Sequence, residues 1–233
     1  MILADYINKN IISQAYLHVE PTAFNSEQDL ELFKKELLEF VKTRVAFFLS
    51  PELQIDIDFE DGSLKTRVTV LGTVGLLFHG ICNYSDFREG IQFLYNDSKR
   101  VTEYIISHAI FHAGSRQENI IRLEARLGIL GSIQKVLNQL DSIKRGTKGT
   151  MTAVEINTKI DDVIIEIDKL IDNINDEDDR LFIKNGLHET IKGCSPVPIP
   201  PKDKTNTREA IFEYQRKRQT LIDKLATIQL PKK

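Results

Sequence analysis

Tryptophan is absent from this chain of 233 residues, and cysteine occurs only twice, as Cys82 and Cys194. Two cysteines so far apart make no disulfide framework, so reduced thiols in a cytoplasmic protein are expected. No charge of one sign dominates. The net charge of -3 gives no global case for specific nucleic-acid binding or for a charged membrane surface as partner. The opening MILADYINKN has no basic stretch followed by an apolar one, so no signal peptide is expected. Catalytic signatures are missing as well. There is no GxSxG and no Cys–His pairing of useful spacing, which leaves a nucleophilic hydrolase without support. Gly146-Thr147-Lys148-Gly149-Thr150 has neither the spacing nor the preceding strand of a phosphate loop. The acidic run Asp56, Asp58, Glu60 and Asp61 fails as a calcium loop, because Asp61 and Arg67 stand where glycine and glutamate are needed. No internal repeat is visible.

What is present is an ordinary globular composition, 41% hydrophobic and 28% charged. The chain is long enough for a real core, in one domain or two. Tyr6, Ile7, Ile11, Ile12 and Ala15 predict a short helix within Met1–Tyr16. Ser26 caps a second helix whose buried stripe is Leu30, Phe33, Leu37, Val41, Val45 and Phe48, ended by Pro51. Residues 53–71 then alternate as a β-hairpin, with Glu60-Asp61-Gly62-Ser63 as the turn.

From Asp86 the spacing predicts one long helix to about Ala113, seamed by Phe87, Ile91, Leu94, Ser98, Val101, Ile105, His108 and His112. Gly114 suits its C-terminal exit. Ser115 and Glu118 look like the capping box of a further helix running to Ile143, antiparallel to the first. Lys144–Thr150 reads as a basic linker. Thr152 and Glu155 cap a third seam of Ile156, Ile160, Val163, Ile167, Leu170 and Ile174. A short helix follows at Leu181–Ile191, then an extended Pro-rich stretch, 192–204. A last helix, capped by Asn206 and Glu209, has Ile211, Tyr214, Leu221, Ile222 and Leu225 inward and a basic outer face. The acidic third helix and the basic last one are expected as antiparallel neighbours.

The charge-free window Val68–Ser85 is the most apolar part of the chain. Its length suggests a membrane segment. The strand alternation through Val70 shortens it to a glycine-bearing piece with Leu71, Gly72, Gly75, Leu76, Leu77, Phe78 and Gly80. That piece is expected to be a hub of the core, with membrane contact as the alternative. Beyond it, Tyr84, Phe87 and Arg88 open the long helix and form a candidate partner-binding patch. His108 and His112, four residues apart, share a helix face and are weak candidates for a metal pair. Ala109, Ile110 and Phe111 between them exclude the HExxH pattern, and further ligands would have to come from His188, Glu189 or Cys194.

The expected fold is mainly α, of the α+β class: an antiparallel bundle of long helices with one N-terminal β-hairpin packed on them. The expected division is 1–82 for helices and hairpin, and 83–233 for the bundle. The expected function is a non-enzymatic protein–protein interaction or assembly subunit, of an accessory or defence-related prokaryotic kind, which binds a protein partner or itself through the long helices. A membrane-perturbing effector using 68–85 and a metal-dependent enzyme at His108 and His112 are the alternatives. No cofactor, nucleic acid or small molecule is implied.

Overall fold

A computed structural model describes residues 10–24, 26–60, 64–79 and 86–226. The protein is α+β, and its chain forms two compact units, residues 1–131 and 132–233. The expected division at 82/83 falls inside the first unit.

That unit is built on a sheet larger than a hairpin. Strands β1 (Asn10–Val19), β2 (Gln54–Glu60), β3 (Leu64–Gly72) and β4 (Ile120–Arg126) form a four-stranded antiparallel sheet in the order β2-β3-β1-β4. The expected pairing of β2 with β3 is present, but two strands replace expected helices. In β1 a register shift between Ile11 and Ser13 interrupts the alternation. Ile11, Ile12 and Ala15 therefore fall at helical spacing although the segment is a strand. In β4 the spacing of Ile120, Leu123 and Leu127 imitates a helix. The finer pattern alternates Ile121, Leu123 and Ala125 with Arg122, Glu124 and Arg126, which is strand-like.

A glycine turn and two polar links set the entry to β4. Gly114 turns the chain with φ of 63°. Thr22 Oγ1 donates to the Gly114 carbonyl at 2.6 Å, and Ser115 Oγ donates to the Glu20 carbonyl at 3.1 Å. Ser115 is thus tied to the end of β1, and a single 3-10 turn, Gln117–Asn119, leads into β4 in place of the expected helix.

One sheet face is apolar. Ile57, Val68 and Ala15 lie side by side across β2, β3 and β1, and Leu17 pairs with Thr66 and Leu123. Helices α1 (Glu27–Phe48) and α3 (Phe87–His112) pack in this unit: α3 lies against β1 and β4, and α1 against α3 and β2. Phe33 of α1 meets Phe59 of β2 edge-on, with ring centroids 6.4 Å apart. Leu17, Leu37, Val41, Val68, Leu94 and Val101 are fully buried, each stabilising the fold by about 1.5–3 kcal/mol through lost apolar exposure. Ser26 caps α1 as expected, its hydroxyl accepting from the Asp29 amide. Asp86 caps α3.

The described part of the window after β3, residues 73–79, packs into the core through Val74 and Leu77. A short helix α2 (Val74–His79) follows directly, and Leu71, Val74 and Leu77 are buried. At Gly72 a Cβ would meet Leu53 at 2.3 Å, and at Gly90 a Cβ would meet the Phe78 ring at 2.5 Å. Gly90 thus makes room for an aromatic ring rather than for a neighbouring backbone. Among the described residues no helix is long and apolar enough to cross a membrane. Gly80 and Tyr84 lie outside the described residues, as do the turn 61–63 and Cys82.

Helix α4 (Gly128–Gly146) starts at Gly128 with φ of 45°, where a Cβ would sit 1.9 Å from the Ile11 carbonyl oxygen. Only glycine fits such an approach of backbone on backbone. The second unit holds most of α4 with α5 (Ala153–Asp172), α6 (Glu177–Lys192) and α7 (Arg208–Leu225). Residues 144–150 are not a free linker. The helix continues to Gly146, Thr147 is fully buried, and its carbonyl accepts from the Ile199 amide at 3.0 Å. The capping box of Thr152 and Glu155 opens α5, and its expected stripe from Ile156 to Leu170 is buried.

Helices α5 and α7 are neighbours, but they run parallel. Asn157 donates to the Ala210 carbonyl, Lys217 pairs with Asp161 and Lys224 pairs with Asp168, so the contacts climb both helices together. The antiparallel expectation fails because α6 and the extended segment after it carry the chain back before α7 begins. Thr207, rather than Asn206, caps α7. The Asn206 side chain instead accepts from the Ala153 amide at 2.8 Å and donates to the Pro198 carbonyl at 3.0 Å.

Candidate functional site

The first unit carries two exposed surfaces of unusual composition, one on its helices and one on its sheet. On α1, Glu36, Phe40, Arg44 and Phe48 recur every four residues, so they line one edge of the helix. On α3, Tyr104, His108 and His112 do the same. The two rows meet in antiparallel order. Glu36 lies 3.9 Å from His112, Phe40 stacks on His108 with centroids 3.8 Å apart, and Phe48 packs on Tyr104 at 5.7 Å. The Arg44 guanidinium lies over both Phe40 and Tyr104, at 5.1 and 5.5 Å, a cation–π arrangement. Its Nε is buried without an acceptor.

Two rings flank this seam and point outward: Phe47 is 77% and Phe111 79% exposed. Both rings touch the ladder, Phe47 through Phe48 at 4.9 Å and Phe111 through His112 at 5.3 Å.

His108 and His112 are therefore members of an aromatic seam. Their ring centroids are 4.2 Å apart. Burial first, then the neighbouring His112 and Arg44, push the His108 pKa below its ordinary 6.5, while Glu36 pulls it the other way. Among the described residues no three His, Cys, Asp or Glu side chains gather into a set that could hold a metal ion. His188 sits beside Glu189 in α6. Cys194 is buried, and burial pushes its thiol up to about 11, which keeps it protonated and unreactive at neutral pH.

The second surface is the sheet face away from the apolar one. Its register makes a grid of polar residues. Asp58, Arg67, Tyr16 and Glu124 lie in one row across β2, β3, β1 and β4; Asp56, Thr69, Gln14 and Arg126 form the row beside it; Glu60, Lys65, His18 and Arg122 form the third. Gln14 Nε2 donates to Thr69 Oγ1 at 3.0 Å. The Tyr16 ring has the Arg67 guanidinium 5.9 Å and the Arg122 guanidinium 5.7 Å from its centroid. Glu124 accepts from both Arg122 and Arg126, and those bonds, Arg122 first, hold its carboxyl below the usual range.

The residues singled out in the sequence are dispersed. Leu71 and Leu77 are core, while Gly75, Leu76 and Phe78 are half-buried in α2. Phe87 stacks on Phe78 at 6.0 Å, and the Arg88 amide donates to Asp86, so the described part of that patch serves the start of α3. The seam residues of α1 lie beside its buried stripe, which dominates the hydrophobic pattern. The run of Phe40, Arg44 and Phe47 along that other edge is their signal in the sequence. The polar grid has no such signal while β1 and β4 carry helical spacing.

Comparison with protein-family models, curated proteins and solved structures finds no match to this chain.

Proposed function

We propose that this chain is a non-enzymatic interaction and assembly protein, working in the cytoplasm, that pairs with a second copy of itself through the α1–α3 seam. The observation that carries the reading is the pair of outward rings, Phe47 and Phe111, beside an already assembled aromatic ladder. The charges support self-pairing. Glu36 and Arg44 lie two turns apart on the same edge of α1, with Phe40 midway. A two-fold antiparallel pairing centred on Phe40 sets Glu36 of each copy against Arg44 of the other, as an isologous interface requires. The long helices then act as a coiled-coil-like bundle across two copies.

Light scattering over rising protein concentration tests this. The wild-type mass rises above that of one chain, and Phe47→Ser with Phe111→Ser returns it to one chain. Arg44→Glu weakens pairing, and adding Glu36→Arg to it restores pairing. A single-chain mass at every concentration, or a charge swap without rescue, contradicts the reading.

A further inference from the structure

The polar sheet face holds a small cavity of about 130 Å³, lined by Gln14, Tyr16, Arg67, Arg122, Glu124 and Arg126. We propose that this cavity is a binding site for the phosphate group of a small phosphomonoester, a function independent of the aromatic seam.

Charge, the pairing of the arginines and the size of the cavity all favour such a ligand. The lining has three guanidinium groups and one carboxylate, an excess that suits an anion with two charges. A phosphomonoester carries about -1.5 to -2 at neutral pH. Arg122 and Arg126 are held by Glu124. Arg67 makes no ion pair among the described residues, although Asp58 lies opposite it across the strands. Its planar fork, held over the Tyr16 ring, is free for bidentate contact with a phosphate. Pockets for drug-sized ligands run to about 300–1,000 Å³, so this one takes a phosphate-sized group while the rest of the ligand stays outside.

In this arrangement Glu124 is an internal stand-in for the anion. It keeps Arg122 and Arg126 together and yields them as the phosphate enters, while Tyr16 and Gln14 offer hydroxyl and amide donors at the wall.

Calorimetric titration of the full chain tests the site, with inorganic phosphate, adenosine monophosphate, adenosine and dimethyl phosphate as probes. Inorganic phosphate and adenosine monophosphate bind saturably, with Kd of about 1 mM or tighter. Dimethyl phosphate, with one charge, binds at least about threefold more weakly than inorganic phosphate, and adenosine does not bind. Arg67→Ala weakens binding about tenfold or more; Arg67→Lys, which keeps charge but loses the fork, serves the same purpose should the alanine variant not fold. Glu124→Gln removes the internal competitor and tightens binding about threefold or more, a gain that a merely structural Glu124 would not produce. Three results overturn the proposal: no saturable heat from inorganic phosphate or adenosine monophosphate with either wild type or Glu124→Gln up to about 10 mM, adenosine binding as well as its phosphate, or Arg67 variants that bind like wild type.

Discussion

The two units spend their polar side chains differently. In the second unit they tie the fold together. Tyr214 is fully buried and its hydroxyl donates to the Ser195 carbonyl at 2.6 Å. Arg218 donates to the Cys194 and Lys192 carbonyls, Asn206 bridges Pro198 to the start of α5, and Lys217 reaches Asp161. The Pro-rich stretch cannot form a helix, so its carbonyls need partners, and α7 supplies them. The first unit also buries polar groups, among them Ser13, Thr66, Asp97 and Ser98, but it carries a further set of charged and aromatic groups outside its core, on the seam and the sheet face. The difference teaches where to look for function. Polar groups consumed internally explain a fold, whereas groups ordered at the surface without serving the core are available to a partner.

Substitutions that strike each unit's own support sharpen this contrast. The largest effect is expected at the joint between Gly128 and Ile11. Gly128→Ala forces a Cβ onto the Ile11 carbonyl and a side chain into left-handed backbone. Such strain costs about 2–4 kcal/mol, read as a lower midpoint in urea unfolding. Next comes Tyr214→Phe, which leaves the Ser195 carbonyl without its donor and costs the second unit about 1–2 kcal/mol by the same measurement.

A smaller effect is expected from pH. The His108 pKa is lower in the folded chain than its ordinary 6.5, so the unfolded chain binds the proton more readily. The stability contributed is complete above about pH 7 and is lost as pH falls through 6.5 toward the folded value. His112, Arg44, Glu36 and the stacked Phe40 face the ring and set this balance. Urea unfolding between about pH 7.5 and 5 shows the decline, and His108→Gln flattens it.

The smallest effect on stability is expected for Phe47→Ser with Phe111→Ser. Both rings are exposed, so at protein concentrations low enough that the wild type is also a single chain, the unfolding free energy changes by about 0.5 kcal/mol or less per ring. A large destabilisation there would break the contrast, by showing that the seam serves the fold.

The elements legible in the sequence are those whose periodicity is long and uninterrupted. The stripes of α1, α3 and α5 and the caps Ser26, Thr152 and Gly114 are legible because several residues repeat one message. The pairing of β2 with β3 is legible from Ile55, Ile57 and Phe59 against their acidic neighbours. Strands β1 and β4 are not, because a bulge at Ile11/Ser13 breaks one alternation and helical spacing of Ile120 and Leu123 masks the other. The direction of α7 relative to α5 is invisible, since charge complementarity fits either sense. The sheet-face grid depends on register between strands far apart in the chain, which a single sequence does not print. The seam is half legible: His108 and His112 stand out as a pair, but their partners Glu36, Phe40 and Arg44 come from another helix.

The most direct test of self-pairing through the seam is surface labelling of aromatic side chains by a reactive carbene as the protein concentration is raised. Phe47 and Phe111 belong to the seam, while Phe212, 70% exposed on α7, belongs to the second unit and is the internal control. Pairing through the seam predicts that labelling of Phe47 and Phe111 falls with concentration while that of Phe212 stays constant. Constant labelling of all three, or a fall at Phe212 alone, would contradict it.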